Sequence, residues 1–315
     1  MRILFADSIH PVLHERLLAA GFECDLFWDK RVDALIALLP EYDGLVIRSR
    51  FKLTKDIIDS CHNLKCVARV GAGMENIDVA YAELKNISCL CVPEGNRDAV
   101  GEHALGMLLM LLNHLKKADT EVRQGIWLRA ENRGYELNGK TVGFIGYGNM
   151  GSSFAKKLSG FDCTLLAYDK YKSGYGTELV KEVGMAELLE KSDVISLHVP
   201  LTAETNYLMD ASFFNQCKKH VYIINTARGK CLNTSDLVEA LQSGQVAGAC
   251  LDVLEYESVS FESMAVTELP EPMQYLITRE NVVLSPHIAG WTHESNYKMS
   301  RIIADKIIGC LKPKN

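Results

Sequence analysis

At the usual size of a folding unit, 315 residues point to about two domains. With 48% hydrophobic and 23% charged residues and a mean hydropathy near zero, the composition is that of a globular protein, not of a disordered, collagen-like or coiled-coil one. The net charge of -6 argues against tracking a nucleic-acid backbone, and no apolar run approaches the ~20 residues that span a bilayer.

The N-terminus meets Asp7 after one short apolar segment and does not read as a signal peptide. The ten cysteines are scattered and form no Cys-x-x-Cys pair. Several (Cys66, Cys89, Cys91, Cys163, Cys250) sit in apolar runs. That predicts buried thiols, no metal site and a reducing, cytoplasmic setting.

In chain order, 2–7 reads as a strand and 11–20 as a helix, with Pro11 in its first turn and Gly21 just past its end. Strands follow at 44–48, 66–70 and 87–92, separated by helices at 54–61 and 77–85. A long helical stretch, 98–117, leads to a second block with strands at 141–146, 163–168, 193–198, 221–225, 246–251 and 281–285. A helix at 292–311 closes the pattern. Strands alternating with helices predict an α/β protein of two doubly wound parallel-sheet (Rossmann-like) domains with a cleft between them. No low-complexity linker is visible, so the boundaries are expected in short loops near 95–99 and 288–292.

The first strand of the second block runs into Gly146-Tyr147-Gly148-Asn149-Met150-Gly151 and then into a helical pattern. In that context Gly146 permits a tight turn, Gly148 lets the backbone approach a pyrophosphate, and Gly151 lets helix and strand pack closely. The phosphates would sit on the helix N-terminus. Asp169, at the end of the next strand, is placed to bond the adenosine ribose and to repel a 2′-phosphate, which favours NAD over NADP. Lys170 and Lys172 follow it closely. The first block has no such glycines after its first strand. The expected division is therefore a substrate-binding domain of residues 1–97 plus 289–315 and an NAD-binding domain of 98–288.

Three later strands end in polar residues: Asn225-Thr226-Ala227-Arg228-Gly229, Asp252-Val253-Leu254-Glu255-Tyr256-Glu257, and Ser285-Pro286-His287. Strand ends of this kind are where open α/β sheets bind ligands. Together with the 146–151 fingerprint, Asp169 and His198-Val199-Pro200-Leu201-Thr202, they make the chain resemble the D-2-hydroxyacid dehydrogenase family over essentially its whole length. Arg48-Ser49-Arg50, Val70-Gly71-Ala72-Gly73 with Asn76-Ile77-Asp78, Asn96 with Ala99-Val100, and Gly125-Ile126-Trp127-Leu128-Arg129 are most similar to the family's D-3-phosphoglycerate dehydrogenase branch.

The resemblance implies an NAD-dependent oxidoreductase of a D-2-hydroxy acid, with 3-phosphoglycerate and 3-phosphohydroxypyruvate, and so serine biosynthesis, as the specific reading. Arg228 would pair with the substrate carboxylate. His287 would be the general acid/base, and Glu257 would orient it. Ser258 stands where the family has proline, 258–280 is longer than usual, and Glu255 is a competing carboxylate. NAD would be held by Gly146, Gly148, Asn149, Met150, Gly151, Asp169, His198, Pro200, Thr205, Thr226, Asp252 and His287. Arg48, Ser49 and Arg50 would form a phosphate pocket, and Gly71, Ala72, Gly73 and Asn96 would line the substrate site, the glycines through their amides. Trp127 and Arg129 would reach a neighbouring subunit's pocket, implying a homodimer or larger assembly. No regulatory domain is expected after the terminal helix. A hydroxypyruvate or glyoxylate reductase of the same family is the alternative, and an NAD-sensing corepressor-like binding protein is a further one.

Overall fold

In the computed structural model, residues 1–258, 264 and 268–312 are described. The chain divides into two compact units, one chiefly Met1–Asn96 with Trp291–Asn315 and the other Arg97–Glu257 with Met264–Gly290.

The first unit carries β1 (Arg2–Phe5), α1 (Pro11–Ala19), β2 (Glu23–Leu26), α2 (Val32–Leu38), β3 (Gly44–Ile47), α3 (Lys55–Ser60), β4 (Cys66–Arg69), α4 (Val79–Leu84) and β5 (Ser88–Leu90). Its strands lie in the order β2-β1-β3-β4-β5, every pair parallel. Successive side chains of a strand face opposite ways, and both faces are buried. Ile3 and Phe5 pack with Leu13 and Leu17 of α1, whereas Leu4 packs with Leu35 of α2, Ile58 of α3 and Ala82 of α4. That is why these strands read as unbroken apolar runs.

The second unit follows with α5 (Pro93–Leu112), which begins in the first unit, then α6 (Leu115–Arg123), β6 (Thr141–Ile145), α7 (Asn149–Lys157), β7 (Thr164–Tyr168), β8 (Lys181–Glu182), α8 (Met185–Lys191), β9 (Val194–Leu197), α9 (Ala211–Gln216), β10 (Val221–Asn225), α10 (Thr234–Gln242), β11 (Val246–Leu251), α11 (Glu271–Ile277) and β12 (Val282–Leu284). The sheet order is β12-β11-β10-β9-β6-β7-β8, again all parallel. One face is covered by α5 and α7 through Leu108, Leu111, Phe154 and Ala155. The other is covered by α8 to α11 through Leu188, Phe213, Leu237 and Leu276. The strand order reverses between β6 and β9, the switch point at which a doubly wound sheet opens a crevice for ligand. The last helix, α12 (His293–Leu311), returns to the first unit, where Ile303, Ile307 and Leu311 join the core of β1 and α1.

Three expectations need correction. The single helix expected at 98–117 is two helices. The Tyr135 amide donates to the Leu112 carbonyl at 2.9 Å, a Cβ on Gly134 would stand 2.6 Å from that same oxygen, and His114 turns into the left-handed region at φ 52°. The first division between units falls inside α5, not in a loop. The short strands β2 and β8 were not foreseen. Of the stretch 258–280, residues 259–263 and 265–267 lie outside the described residues. Among the described residues no helix is long and apolar enough to cross a membrane.

Candidate active site

The glycine turn begins where β6 ends. Gly146 adopts φ +90°, and a Cβ there would stand 2.5 Å from the carbonyl oxygen of His198. A Cβ on Gly151 would lie 2.3 Å from the Gly146 oxygen, so only glycine lets α7 start this close to β6. In front of Gly148 the space is open: among the described residues a Cβ there would meet only the Lys172 ammonium within 4 Å, at 3.9 Å. Asn149 and Met150 form the first turn of α7. Asp169, just past β7, braces the turn: its carboxylate accepts from the Tyr147 amide at 2.9 Å and from the Tyr171 amide at 3.0 Å. A carboxylate has about four acceptor positions, so two remain for ribose hydroxyls.

His198, expected to hold the cofactor, has its ring behind the turn. It packs on Phe144 at 6.1 Å and Phe154 at 6.0 Å, its Nε2 meets the Ser196 hydroxyl at 2.8 Å, and its Nδ1 is sealed in without a hydrogen-bond partner among the described residues. Burial pushes its pKa down to about 3, so the ring is neutral. Its contribution is the packing under the turn. In the loop after β9, the Thr205 hydroxyl donates to the Pro200 carbonyl at 2.6 Å and accepts from the Thr202 amide at 2.8 Å, so it serves to fix that loop. Thr226, after β10, has a buried hydroxyl with no hydrogen-bond partner among the described residues. The open approach to Gly148, the unused acceptor positions of Asp169 and this orphaned hydroxyl fit a bound dinucleotide.

Arg228 follows in the same turn. The Asn225 side chain donates to the Arg228 carbonyl at 3.0 Å and accepts from the Ala227 amide at 3.0 Å, and Arg228 Nη1 donates to the Ala227 carbonyl at 2.6 Å. Asp252, at the end of β11, is 1% exposed. Burial opposes its charge, but bonds from His103, Ser285, Ala289 and Ile288 outweigh it and hold the carboxyl below the usual range. The Ser285 hydroxyl lies at 2.6 Å, and the Ile288 and Ala289 amides each at 2.9 Å. Asp252 thus anchors the loop that carries His287, whose own amide donates to the Asp252 carbonyl at 2.7 Å. His287 sits at φ +56°, and its Nδ1 meets Glu257 Oε2 at 2.7 Å. The other oxygen of Glu257 accepts from the Leu254 amide. Glu255 points elsewhere, accepting from the Tyr207 hydroxyl at 2.5 Å and the Thr234 amide at 3.1 Å. The imidazole partner is therefore Glu257. His103, a polar residue on the apolar helix α5, joins this cluster. Its Nε2 reaches Ser285 Oγ at 2.9 Å.

In the first unit, Arg48 and Asp7 stand beyond β3 and β1, the switch point of that sheet. The Arg48 amide donates to Asp7 Oδ2 at 2.6 Å, and its guanidinium stacks over Trp291 at 4.0 Å. Trp291, 64% exposed, was not foreseen. Arg50 departs from its expected role. Its guanidinium donates to the carbonyls of Ala6 at 2.6 Å, Phe27 at 3.1 Å and also Lys30, which ties three loops together. Gly71 departs too. Its amide donates to the Arg69 carbonyl at 2.9 Å, and the Arg69 guanidinium covers its open face. Ser49, Ala72 and Gly73 are half-buried, and Asn96 Oδ1 is buried without a hydrogen-bond partner among the described residues. Trp127 and Arg129 are exposed in the segment after α6, Trp127 at 76%.

Residues 105–289 match the family model described as D-isomer specific 2-hydroxyacid dehydrogenase, NAD binding domain. A D-3-phosphoglycerate dehydrogenase of Archaeoglobus fulgidus is 35% identical over 314 residues, 99% of this chain and 58% of its own length. A hydroxypyruvate reductase of Thermotoga maritima is 38% identical over 276 residues, 87% of each. The structure of a D-lactate dehydrogenase from Aquifex aeolicus, complexed with NAD and lactic acid, matches with a TM-score of 0.82 at 28% identity, covering 98% of this chain and 94% of that one. The chain spans a little over half the length of the phosphoglycerate dehydrogenase it matches. With the glycine turn, the aspartate after β7 and the histidine–glutamate pair in place, the chain belongs to the D-isomer specific 2-hydroxyacid dehydrogenase family, and its second unit contains that family's NAD-binding domain.

Proposed function

We propose that the chain interconverts a D-2-hydroxy acid and its 2-oxo acid with NAD, and that the pair is 3-phosphoglycerate and 3-phosphohydroxypyruvate. The observation that carries the dehydrogenase reading is the 2.7 Å contact of His287 Nδ1 with Glu257, on a loop anchored by Asp252 in the domain that holds the dinucleotide turn. With Nδ1 held, the imidazole exchanges the substrate's hydroxyl proton at Nε2. It accepts the proton on oxidation and returns it on reduction. Glu257 supports the imidazolium that forms. Arg228 pairs with the carboxylate and draws charge from the carbonyl. The 146–151 backbone, Asp169 and Thr226 hold NAD, which when bound takes up or supplies the hydride.

The phosphorylated substrate rests on Arg48 and on similarity to relatives named phosphoglycerate dehydrogenase. A second reading, hydroxypyruvate reduction, is favoured by one observation: Arg50 already serves three backbone carbonyls, which takes one of the two arginines expected to bind phosphate out of that role. Kinetics with 3-phosphohydroxypyruvate, hydroxypyruvate and glyoxylate decide between them. The wild type is expected to prefer the phosphorylated substrate. A charge-assisted contact is worth about 1.5–3 kcal/mol, so Arg48→Ala should raise its KM by about 10-fold or more and leave hydroxypyruvate nearly unaffected. An equal loss on both substrates would reassign Arg48 to the fold or the carboxylate. Outright preference for hydroxypyruvate would overturn the phosphoglycerate assignment and leave the dehydrogenase standing.

The same reading makes the chain a homodimer or larger in the reducing cytoplasm, as a step of serine biosynthesis. In support of self-association, α6 exposes Leu115 and Val122, and Ile126, Trp127 and Leu128 follow, also exposed.

A further inference from the structure

Two lysines follow Asp169, and the structure gives them different surroundings. Lys170 Nζ bonds Glu204 Oε2 at 2.8 Å and lies over the Tyr171 ring at 5.7 Å, so its charge is compensated. Lys172 Nζ donates to the Tyr147 carbonyl at 3.3 Å, a neutral acceptor at long range. Among the described residues it forms no ion pair. It is also the one atom that a Cβ on Gly148 would meet within 4 Å, at 3.9 Å. Gly148 caps α7 and is the position at which such a turn admits a pyrophosphate. The turn itself contains no cation: residues 146–151 offer amides and the side chains of Tyr147, Asn149 and Met150.

From this juxtaposition we infer that Lys172 is a phosphate-binding residue of the dinucleotide site, its ammonium leaving the Tyr147 carbonyl to hold the diphosphate in front of Gly148. The inference rests on the NAD assignment of the domain. Two full negative charges on a diphosphate are a far stronger partner than a carbonyl, and the helix amides supply only partial charge. Lys172 faces Gly148, while the ribose-reading acid, Asp169, is fixed by the Tyr147 and Tyr171 amides. The lysine therefore adds affinity for the group that NAD and NADP share, and does not discriminate between them. The nearby acid is held back by its own hydrogen bonds, so the exchange costs Lys172 one neutral contact.

Equilibrium binding tests this without turnover. Dissociation constants are measured by NADH fluorescence and by calorimetry for NADH, NADPH, ADP and adenosine. Lys172 is exposed, and salt screens exposed charges, so the effect should lie at the low end of a charged hydrogen bond, about 10-fold. K172A should weaken NADH, NADPH and ADP by that factor, leave adenosine unchanged, keep the NADPH-to-NADH ratio constant and reduce the salt dependence of NADH binding. K172R should retain most of the affinity, and K170A should match the wild type. An unchanged NADH constant in K172A overturns the inference. So does a loss confined to NADPH, which would make Lys172 a reader of the 2′-phosphate. An equal loss in K170A overturns it as well, by reducing the effect to general surface charge. A wild type that binds no NADH would strike the cofactor assignment itself.

Discussion

A histidine at φ +56° is an uncommon arrangement for a residue other than glycine, costing of order 1–3 kcal/mol. His287 is held there by the hydrogen bond its N–H donates to the Asp252 carbonyl and by the two following amides, which donate to the Asp252 carboxylate. The ring is thus presented to Glu257 by backbone anchoring. His287→Ala is expected to lower kcat by about 10²–10⁴ while NADH affinity stays within a few-fold. A variant keeping more than a tenth of the wild-type rate would place the proton transfer on another group. At this scale the glycine turn, Asp169, Arg228 and His287 stand out in the sequence, because each lies in a short contiguous motif at a strand end. The choice between Glu257 and Glu255 is not. Two residues apart, they part because Tyr207 and Thr234 take one and His287 takes the other.

Among the elements, the glycine turn depends on what lies beneath it. The His198 ring fills the space behind Gly146 and Gly151, between Phe144 and Phe154, as a neutral base. Its folded pKa of about 3 lies below the ordinary value near 6.5, so between those pH values the unfolded chain binds a proton that the folded chain does not. Stability supported by the neutral ring is complete above about pH 6.5 and is lost as pH falls toward 3. From pH 7.5 to pH 5 the wild type should lose about 2 kcal/mol more unfolding free energy than His198→Gln, which keeps a polar group for Ser196 and cannot titrate. Parallel losses in denaturant titrations of the two proteins would show that the ring does not resist protonation. Periodicity located the long apolar strands, since burial on both faces leaves an unbroken signal. It missed β2, whose Glu23-Cys24-Asp25-Leu26 is a half-exposed edge, and β8, which is two residues long. It also joined α5 to α6, because the residue that ends α5 is Tyr135, more than twenty positions downstream.

For the whole molecule, the exposed apolar residues of α6 and the segment after it make self-association the expected state. Light scattering should give twice the 35.1 kDa of one chain at micromolar concentration. Trp127→Glu, at a residue 76% exposed, should shift the protein toward monomer without lowering its melting temperature appreciably. A monomeric wild type would remove the proposed role of Trp127 and Arg129 in a neighbouring pocket. The residue order alone was enough for the α/β class, the two parallel sheets, the place of the dinucleotide turn and the family, because these follow from local periodicity and from contiguous motifs. Which acceptor each polar side chain finds was left to the folded chain. Arg50 finds Ala6, Phe27 and Lys30, Arg69 covers Gly71, and His198 turns under the glycines instead of over them. Each of these outcomes depends on atoms brought together from distant positions by sheet packing. No spacing along the chain encodes that proximity, so a cation or an imidazole in a motif declares its chemistry there but not its partner.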